Sequence, residues 1–211
     1  MSSHSVLMLP AWCRPGCCLP AAATWLLAAL TLAGTSAPLL AAPYQIDSAH
    51  TAVHFAASHF DRTWLRGRFM GIKGQVEFDA AQKSGSLDVS IDPDTLDTGL
   101  RGLDTVLKSS QYFDTKEFPQ ARFISTRFEF DGERLLAVQG DLTLHGVTLP
   151  VRLQAQRFSC GEVKFLVLKR HVCGGDFHAE IRRSAFGMRH ALPDVGDLVL
   201  LDIAVEASPP N

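Results

Sequence analysis

The sequence has no excess of charge of either sign. Its 211 residues include 20 lysines and arginines and 22 aspartates and glutamates, for a formal charge of −2. Residues 1–42 carry one arginine and no acid, so the remainder has a formal charge of −3. Nucleic-acid-binding domains present a basic stripe, and anionic membrane surfaces attract clusters of basic residues. The overall balance therefore argues against both partners.

The sequence also lacks the motifs of common catalytic sites. Neither the serine-hydrolase elbow G-x-S-x-G nor the zinc motif H-E-x-x-H occurs, and there is no phosphate-binding glycine loop. No pair of carboxylates stands out for acid–base chemistry. We therefore expect a protein that is not an enzyme.

Residues of metal-ligating type occur in two groups without the spacing of a metal site. The groups are His50, His54 and His59, and Cys160, His171, Cys173 and His178. On a strand the first two histidines share a face and the third lies on the other. The second group lacks C-x-x-C spacing, and a disulfide explains its cysteines better. We predict no metal and no cofactor.

No apolar run is long enough for a comfortable membrane span. The candidate run, "AAATWLLAALTL", covers residues 21–32, whereas a span needs about 20 apolar residues. Small residues follow in "AGTSAPLLAAP", a pattern typical of a secretory signal peptide. We predict a signal peptide over about residues 1–42, one domain over residues 43–211 and no permanent membrane span. An uncleaved anchor is the alternative.

Cysteine is scarce, and most of it lies in the predicted leader. Cys13, Cys17 and Cys18 precede the domain, so that Cys160 and Cys173 remain. An even number of cysteines in an exported domain favours a disulfide between them. Closing this loop contributes about 3 kcal/mol in the chain-entropy model.

Alternation of apolar and polar residues dominates the chain after residue 43. In "GDLTLHGVTLPVRLQAQ", residues 140–156, two alternating runs flank His145 and Gly146. The glycine allows the positive φ of a tight hairpin turn, and we expect the histidine to pack or hydrogen-bond there. Similar runs recur to give about eight strands, each with one apolar face.

One stretch departs from the period of two. Leu100, Leu103 and Leu107 are spaced by three and four residues, which predicts one helix around residues 99–110. Eight strands, short turns and one helix indicate an all-β domain, either a closed antiparallel barrel or a sandwich. Periodicity alone leaves that choice open.

Several short motifs, in their order and spacing, resemble the YceI-like family of secreted proteins. The resemblance runs from Tyr44 to about Ala207. The motifs are "YQIDSAHTAVHF", "RGRF", "LKSSQYFDTKEFPQARF", "GDLTLHGVTLPV", "IRRSAFGM" and "VGDLVLLDIAVEA". The chain departs from the family at Ala185, where an acid is common, so no acidic contact is expected there. The segment with Cys160 and "VCGGDF" is similar to a branch of the family that staples this loop.

The resemblance implies an eight-stranded, lipocalin-like barrel that holds a long isoprenoid or similar lipid. It further implies export to the periplasm of a Gram-negative cell, no catalytic activity and a homodimer as one possible assembly. The ligand would be a polyisoprenoid or a quinone-like lipid. The alternatives are a surface-acting stress or adhesion module with a filled barrel, and an enzyme acting on a lipid-like substrate.

Apolar strand faces supply the candidates for the lining of such an interior. The predicted lining residues are Val53, Phe55, Phe69, Phe78, Val89, Phe113, Phe123, Leu142, Leu144, Leu153, Phe177, Ile181, Phe186, Leu201 and Ile203. Specificity would lie at the mouth, where one or two polar groups fix a head group. The candidates there are Arg101, Asp104 and Arg183.

Overall fold

The computed structural model describes residues 43–79, 82–165 and 167–210; the predicted signal peptide lies outside these ranges. Within them the chain forms ten strands, one α-helix and two short 3-10 helices. The strands are β1 (Pro43–Ile46), β2 (Ala52–His59), β3 (Thr63–Phe69), β4 (Ile72–Asp79), β5 (Ser84–Ile91), β6 (Ala121–Asp131), β7 (Arg134–Leu144), β8 (Val147–Phe165), β9 (Leu168–Arg182) and β10 (Val195–Ser208). Helix α1 is Arg101–Lys108, and the 3-10 helices are Pro93–Thr95 and Arg183–Phe186.

The strands form a closed antiparallel barrel. From β4 to β10 each strand pairs with the next in chain order, and β1 closes the ring by pairing with both β4 and β10. Strand β2 pairs with a different part of the same β10 edge, and β3 pairs with β2. The predicted eight-stranded barrel with one helix is confirmed, since β1 and β2 share one position in the wall.

Alternation places the apolar side chains inside this wall. On β6 Phe123 is buried, whereas its neighbour Ile124 points outward and is 41% exposed. The ring of Phe123 packs over Gly140 of β7, where a Cβ atom would lie 2.4 Å from the ring. Glycine is therefore required at that position for the two strands to keep this packing.

The segment between β5 and β6 leaves the sheet and carries the helix. The backbones of Asp97 and Arg68 exchange two hydrogen bonds of 3.0 Å, which attach this segment to the outer edge of β3. The Asp104 carboxylate accepts hydrogen bonds from the Thr98 N–H and hydroxyl, at 2.8 and 2.6 Å. These bonds fix the start of α1. Among the described helices none has the length and apolar character needed to cross a bilayer.

Strands β8 and β9 continue beyond the barrel as a two-stranded ribbon. Pairing between β7 and β8 ends at Gln154, and pairing between β9 and β10 ends at Cys173. Gly161–Phe165 and Leu168–Val172 pair only with each other. We call these two arms, with Val167 in the turn between them, the ribbon. A disulfide joins the directly opposed Cys160 and Cys173 at its base, so the predicted pairing is confirmed.

Candidate functional site

The barrel interior contains two adjoining apolar cavities. One lies beside α1 and the other beside the ribbon, and both are partly open to solvent. We call them the α1 cavity and the ribbon cavity. They meet at a ring of four side chains that line both, Val53, Ile91, Leu142 and Leu201. Walls of this composition suit an apolar ligand.

Fourteen of the fifteen predicted lining residues face these cavities. In the α1 cavity they are Val53, Phe55, Phe69, Phe113, Leu142, Leu144, Ile181 and Leu201. In the ribbon cavity they are Val53, Phe78, Val89, Phe123, Leu142, Leu153, Phe177, Leu201 and Ile203. Phe186 lines neither cavity, because it lies on the 3-10 helix after β9 and is 2% exposed within the surrounding apolar cluster. A contact of these residues with a ligand stays a prediction.

Three phenylalanines from different elements form the aromatic wall of the α1 cavity. The ring centroids of Phe55 and Phe69 are 5.4 Å apart, and Phe113 stands edge-on to Phe69 at 5.3 Å. The ring of Phe55 also covers Gly67, where a Cβ atom would lie 2.4 Å from it. Since Phe113 belongs to the segment after α1, that segment contributes part of the cavity wall.

The α1 cavity also has lining residues that alternation could not reveal. Leu107, Tyr112 and Met188 line it from α1 and from loops, where no period of two exists. Other unpredicted lining residues, among them Val76, Leu87, Ile91, Val199 and Val205, lie two residues from predicted ones along the same strand. The alternating pattern would have identified these.

Among the residues that the structure describes, Arg183 is the one cationic side chain in the wall of either cavity. It is 5% exposed, and its guanidinium donates hydrogen bonds to the backbone carbonyls of Gly196, Met188 and Val195 at 2.9, 2.9 and 2.7 Å. Burial lowers the pKa of this guanidinium, against the opposing influence of Tyr112 and Asp197. Within the described residues it has no ion-pair partner.

The other two head-group candidates lie elsewhere. Arg101 is exposed at the first position of α1, and Asp104 holds the Thr98 hydrogen bonds described above. Neither lines a cavity. The structure therefore does not bring the three candidates together at one mouth.

The hairpin turn between β7 and β8 ties two segments together near the α1 cavity. His145 and Gly146 both have positive φ, at 50° and 74°. The His145 ring lies 4.5 Å from that of Phe118, and its Nδ1 is 3.1 Å from the Phe186 carbonyl oxygen. The predicted packing and hydrogen bonding of this histidine are therefore confirmed.

The histidines considered as metal ligands have other neighbours. His50 Nδ1 lies 3.0 Å from the Asp47 carboxylate, and His171 Nδ1 lies 2.9 Å from the Tyr44 hydroxyl. The disulfide occupies both cysteines. In the described part of the chain no three histidine, cysteine, aspartate or glutamate side chains gather in a group that could hold a metal ion.

Comparison with known proteins identifies the family. The family model described as the YceI-like domain matches residues 44–207. This chain belongs to the YceI-like family. A relative named UPF0312 protein from Shewanella denitrificans is 33% identical over 169 residues, which are 79% of this chain and 87% of the relative.

Solved structures of other proteins share the barrel fold. BcnA from Burkholderia cenocepacia matches with a TM-score of 0.61 and 25% identity, over 76% of this chain and 98% of that one. A polyisoprenoid binding domain from Saccharophagus degradans matches with a TM-score of 0.59 over 81% and 99% of the two chains. At 16% identity this second likeness shows the fold alone.

Proposed function

We propose that this YceI-like protein binds one long apolar lipid, of the polyisoprenoid class, along its two cavities. The observation that carries the proposal is the ring of four apolar side chains shared by both cavities. A chain that passes this ring would lie in both volumes at once. The polyisoprenoid binding domain from Saccharophagus degradans, with the same fold, supports this ligand class.

The energetics favour a long chain over a small molecule. Each buried CH₂ group contributes about 0.8 kcal/mol, so one five-carbon isoprene unit contributes roughly 4 kcal/mol as an upper bound. Immobilising a flexible tail offsets much of this gain. Several units are therefore needed for useful affinity, and the tail would be selected by length and shape.

Arg183 is the group we propose for the lipid's polar end. Its guanidinium has five N–H donors, and three of its hydrogen bonds go to backbone carbonyls. A head group that accepts hydrogen bonds, such as a phosphate or a quinone carbonyl, would meet this cation at the wall of the α1 cavity. Tyr112 lines the same cavity and would present a second polar group.

We further propose that the protein acts as a carrier or a sequestering protein in the periplasm, and not as an enzyme. The signal-peptide pattern of residues 1–42 and the disulfide at the ribbon base both favour an oxidising compartment. No motif of a common catalytic site supports turnover of the lipid.

Organic extraction of freshly purified protein, followed by mass spectrometry, tests the proposal. The matched variants are Leu142→Trp and Ile124→Trp. The first fills the ring shared by the two cavities, and the second adds the same group to the outer face of the neighbouring strand β6. We expect a stoichiometric prenyl or acyl species from the wild type and from Ile124→Trp, and much less from Leu142→Trp. A reproducibly empty wild-type extract with no uptake of added lipid would overturn lipid binding and favour the surface-acting alternative.

A further inference from the structure

The ribbon is a feature of the structure that the proposed lipid site does not explain. Beyond Cys160 and Cys173 its arms pair with each other and with no other described strand. Packing inside the barrel therefore cannot account for the residue types found at the far end of the ribbon. The sequence there reads "VKFLVLKR", from Val163 to Arg170.

The far end of the ribbon presents aliphatic side chains to solvent. Val167 is 90% exposed, Leu168 is 69% exposed and Val163 is 49% exposed. The first two have the largest exposed fractions among the large apolar side chains of the described residues. Apolar side chains exposed together in this way mark an interaction site.

Basic residues flank these apolar residues in the sequence. Lys164 and Lys169 lie next to them in sequence, Arg170 follows, and Glu162 is the one acid between Gly161 and His171. Three bases against one acid give the ribbon a formal charge of +2, although residues 43–211 together carry −3. Arg170 lies at the base of the ribbon, so the far end itself has Lys164 and Lys169 against Glu162. The whole-chain balance therefore hides a local excess of positive charge. Charges act over a screening length of about 8 Å in physiological salt, so the local excess decides what this end attracts.

The base of the ribbon is held firmly to the barrel. The Tyr44 hydroxyl lies 2.9 Å from His171 Nδ1, Arg170 Nη2 donates to the Ser208 hydroxyl at 2.8 Å, and the disulfide joins the two arms to each other. Cys173 and Gly174 at this base also line the ribbon cavity. The ribbon therefore points away from the barrel at the end where the ribbon cavity lies.

We propose that the end of the ribbon docks on an anionic phospholipid bilayer, with Val163, Val167 and Leu168 entering the interfacial region. Lys164 would pair with the lipid head groups. Lys169 lies 3.1 Å from the Glu162 carboxylate and would exchange this partner for a head group. This proposal concerns the outer surface and does not depend on what the cavities hold. A protein partner is a poorer fit, because a stable protein interface needs about 800 Å² on each side, and three side chains at the end of a ribbon offer far less.

Vesicle co-sedimentation of the disulfide-bonded protein tests the apolar part of the proposal. The vesicles contain phosphatidylcholine alone or an equal mixture with phosphatidylglycerol. Val167→Asp is compared with Ile124→Asp, which introduces the same charge at another exposed apolar site. We expect wild type and Ile124→Asp to bind the mixed vesicles and Val167→Asp to bind more than about tenfold less. Equal binding of the two variants would overturn the proposal, and the high exposure of Val167 makes misfolding a poor explanation of a loss.

A charge-matched pair tests the electrostatic part. Lys164→Glu and Lys73→Glu change the net charge equally, and both lysines are exposed. Each basic residue near an anionic surface strengthens binding by roughly fivefold, so reversing Lys164 should cost more than about tenfold. We expect Lys73→Glu to have little effect. Equal losses from both variants, or wild-type binding that is as strong to pure phosphatidylcholine, would contradict docking through the ribbon.

A fluorescence measurement locates the contact directly. Trp64 is the one tryptophan after residue 42, so Val167→Trp adds a single reporter at the ribbon end. We expect a blue shift of its emission when mixed vesicles are added, as the indole enters the interface. An unshifted emission spectrum under conditions where the protein sediments with vesicles would place the contact elsewhere and overturn the proposal.

Discussion

At the scale of single residues, Arg183 has a structural role that does not depend on a ligand. Its side chain joins the start of a 3-10 helix to Met188 in the following loop and to Val195 and Gly196 at the start of β10, through three backbone carbonyls. A buried acceptor that loses its donor keeps its desolvation cost. Removing this guanidinium therefore affects stability as well as any head-group binding.

The first prediction concerns stability at this position. Arg183→Met leaves one buried and two partly buried carbonyls without their donors, and we expect the free energy of unfolding to fall by about 3 kcal/mol. Urea denaturation measures this change in the free energy of unfolding. The adjacent Arg182 makes an exposed ion pair with Asp197, so Arg182→Met should cost less than about 1 kcal/mol. Equal losses from the two variants would contradict the structural role of Arg183.

The second prediction concerns the titration of His50. The hydrogen bond to the Asp47 carboxylate, and then its negative charge, raise the pKa of His50 above its ordinary value. A raised folded-state pKa gives stability that is fully present below the unfolded pKa and is lost as pH rises through the folded pKa. NMR titration should show a raised midpoint that returns to the ordinary range in Asp47→Asn. An unchanged midpoint in that variant would be inconsistent with this pairing.

At the scale of elements, alternation and spacing predicted most of what the structure has. The strands and the helix follow from side-chain periodicity, and helix α1 begins at Arg101 and ends at Lys108 within the predicted range. Alternation could not reveal that β1 and β2 share one wall position, because that depends on which parts of β10 each one meets. The residues of one strand carry no information on which distant strand it pairs with.

The ribbon shows a related limit of local reasoning. The sequence predicts the disulfide, because two cysteines remain after the leader. It does not predict that pairing to β7 stops before the disulfide and pairing to β10 stops at it, since Val163 and Leu168 continue an ordinary strand pattern. The exposure of these residues becomes visible only when the neighbouring strands are in place.

The third prediction concerns the disulfide at the ribbon base. Cys160 and Cys173 are separated by 13 residues, and closing a loop of this size stabilises the fold by up to about 3 kcal/mol in the chain-entropy model. Urea denaturation with and without reductant should show that difference in the wild type. The double variant Cys160→Ala/Cys173→Ala serves as the control and should not respond to reductant. A wild-type curve that reductant leaves unchanged would mean that the disulfide does not constrain the unfolded chain.

At the scale of the whole molecule, the barrel keeps an apolar interior without filling it completely. Fourteen of the predicted lining residues surround two cavities, so the same alternation that forms the core also forms the container. The segment after β5 adds residues such as Leu107 and Tyr112 to the wall. Their contribution could not be predicted because loops and short helices place side chains through tertiary contacts and not through a period.

The dependence of affinity on ligand length tests the central claim that one apolar chain occupies both cavities. Delipidated protein is titrated calorimetrically with prenyl alcohols of two, three, four and eight isoprene units. We expect affinity to rise with each added unit until the cavities are filled, and Leu142→Trp to stop the rise at a shorter chain than the wild type or Ile124→Trp. An affinity that is independent of chain length in the wild type would contradict the account.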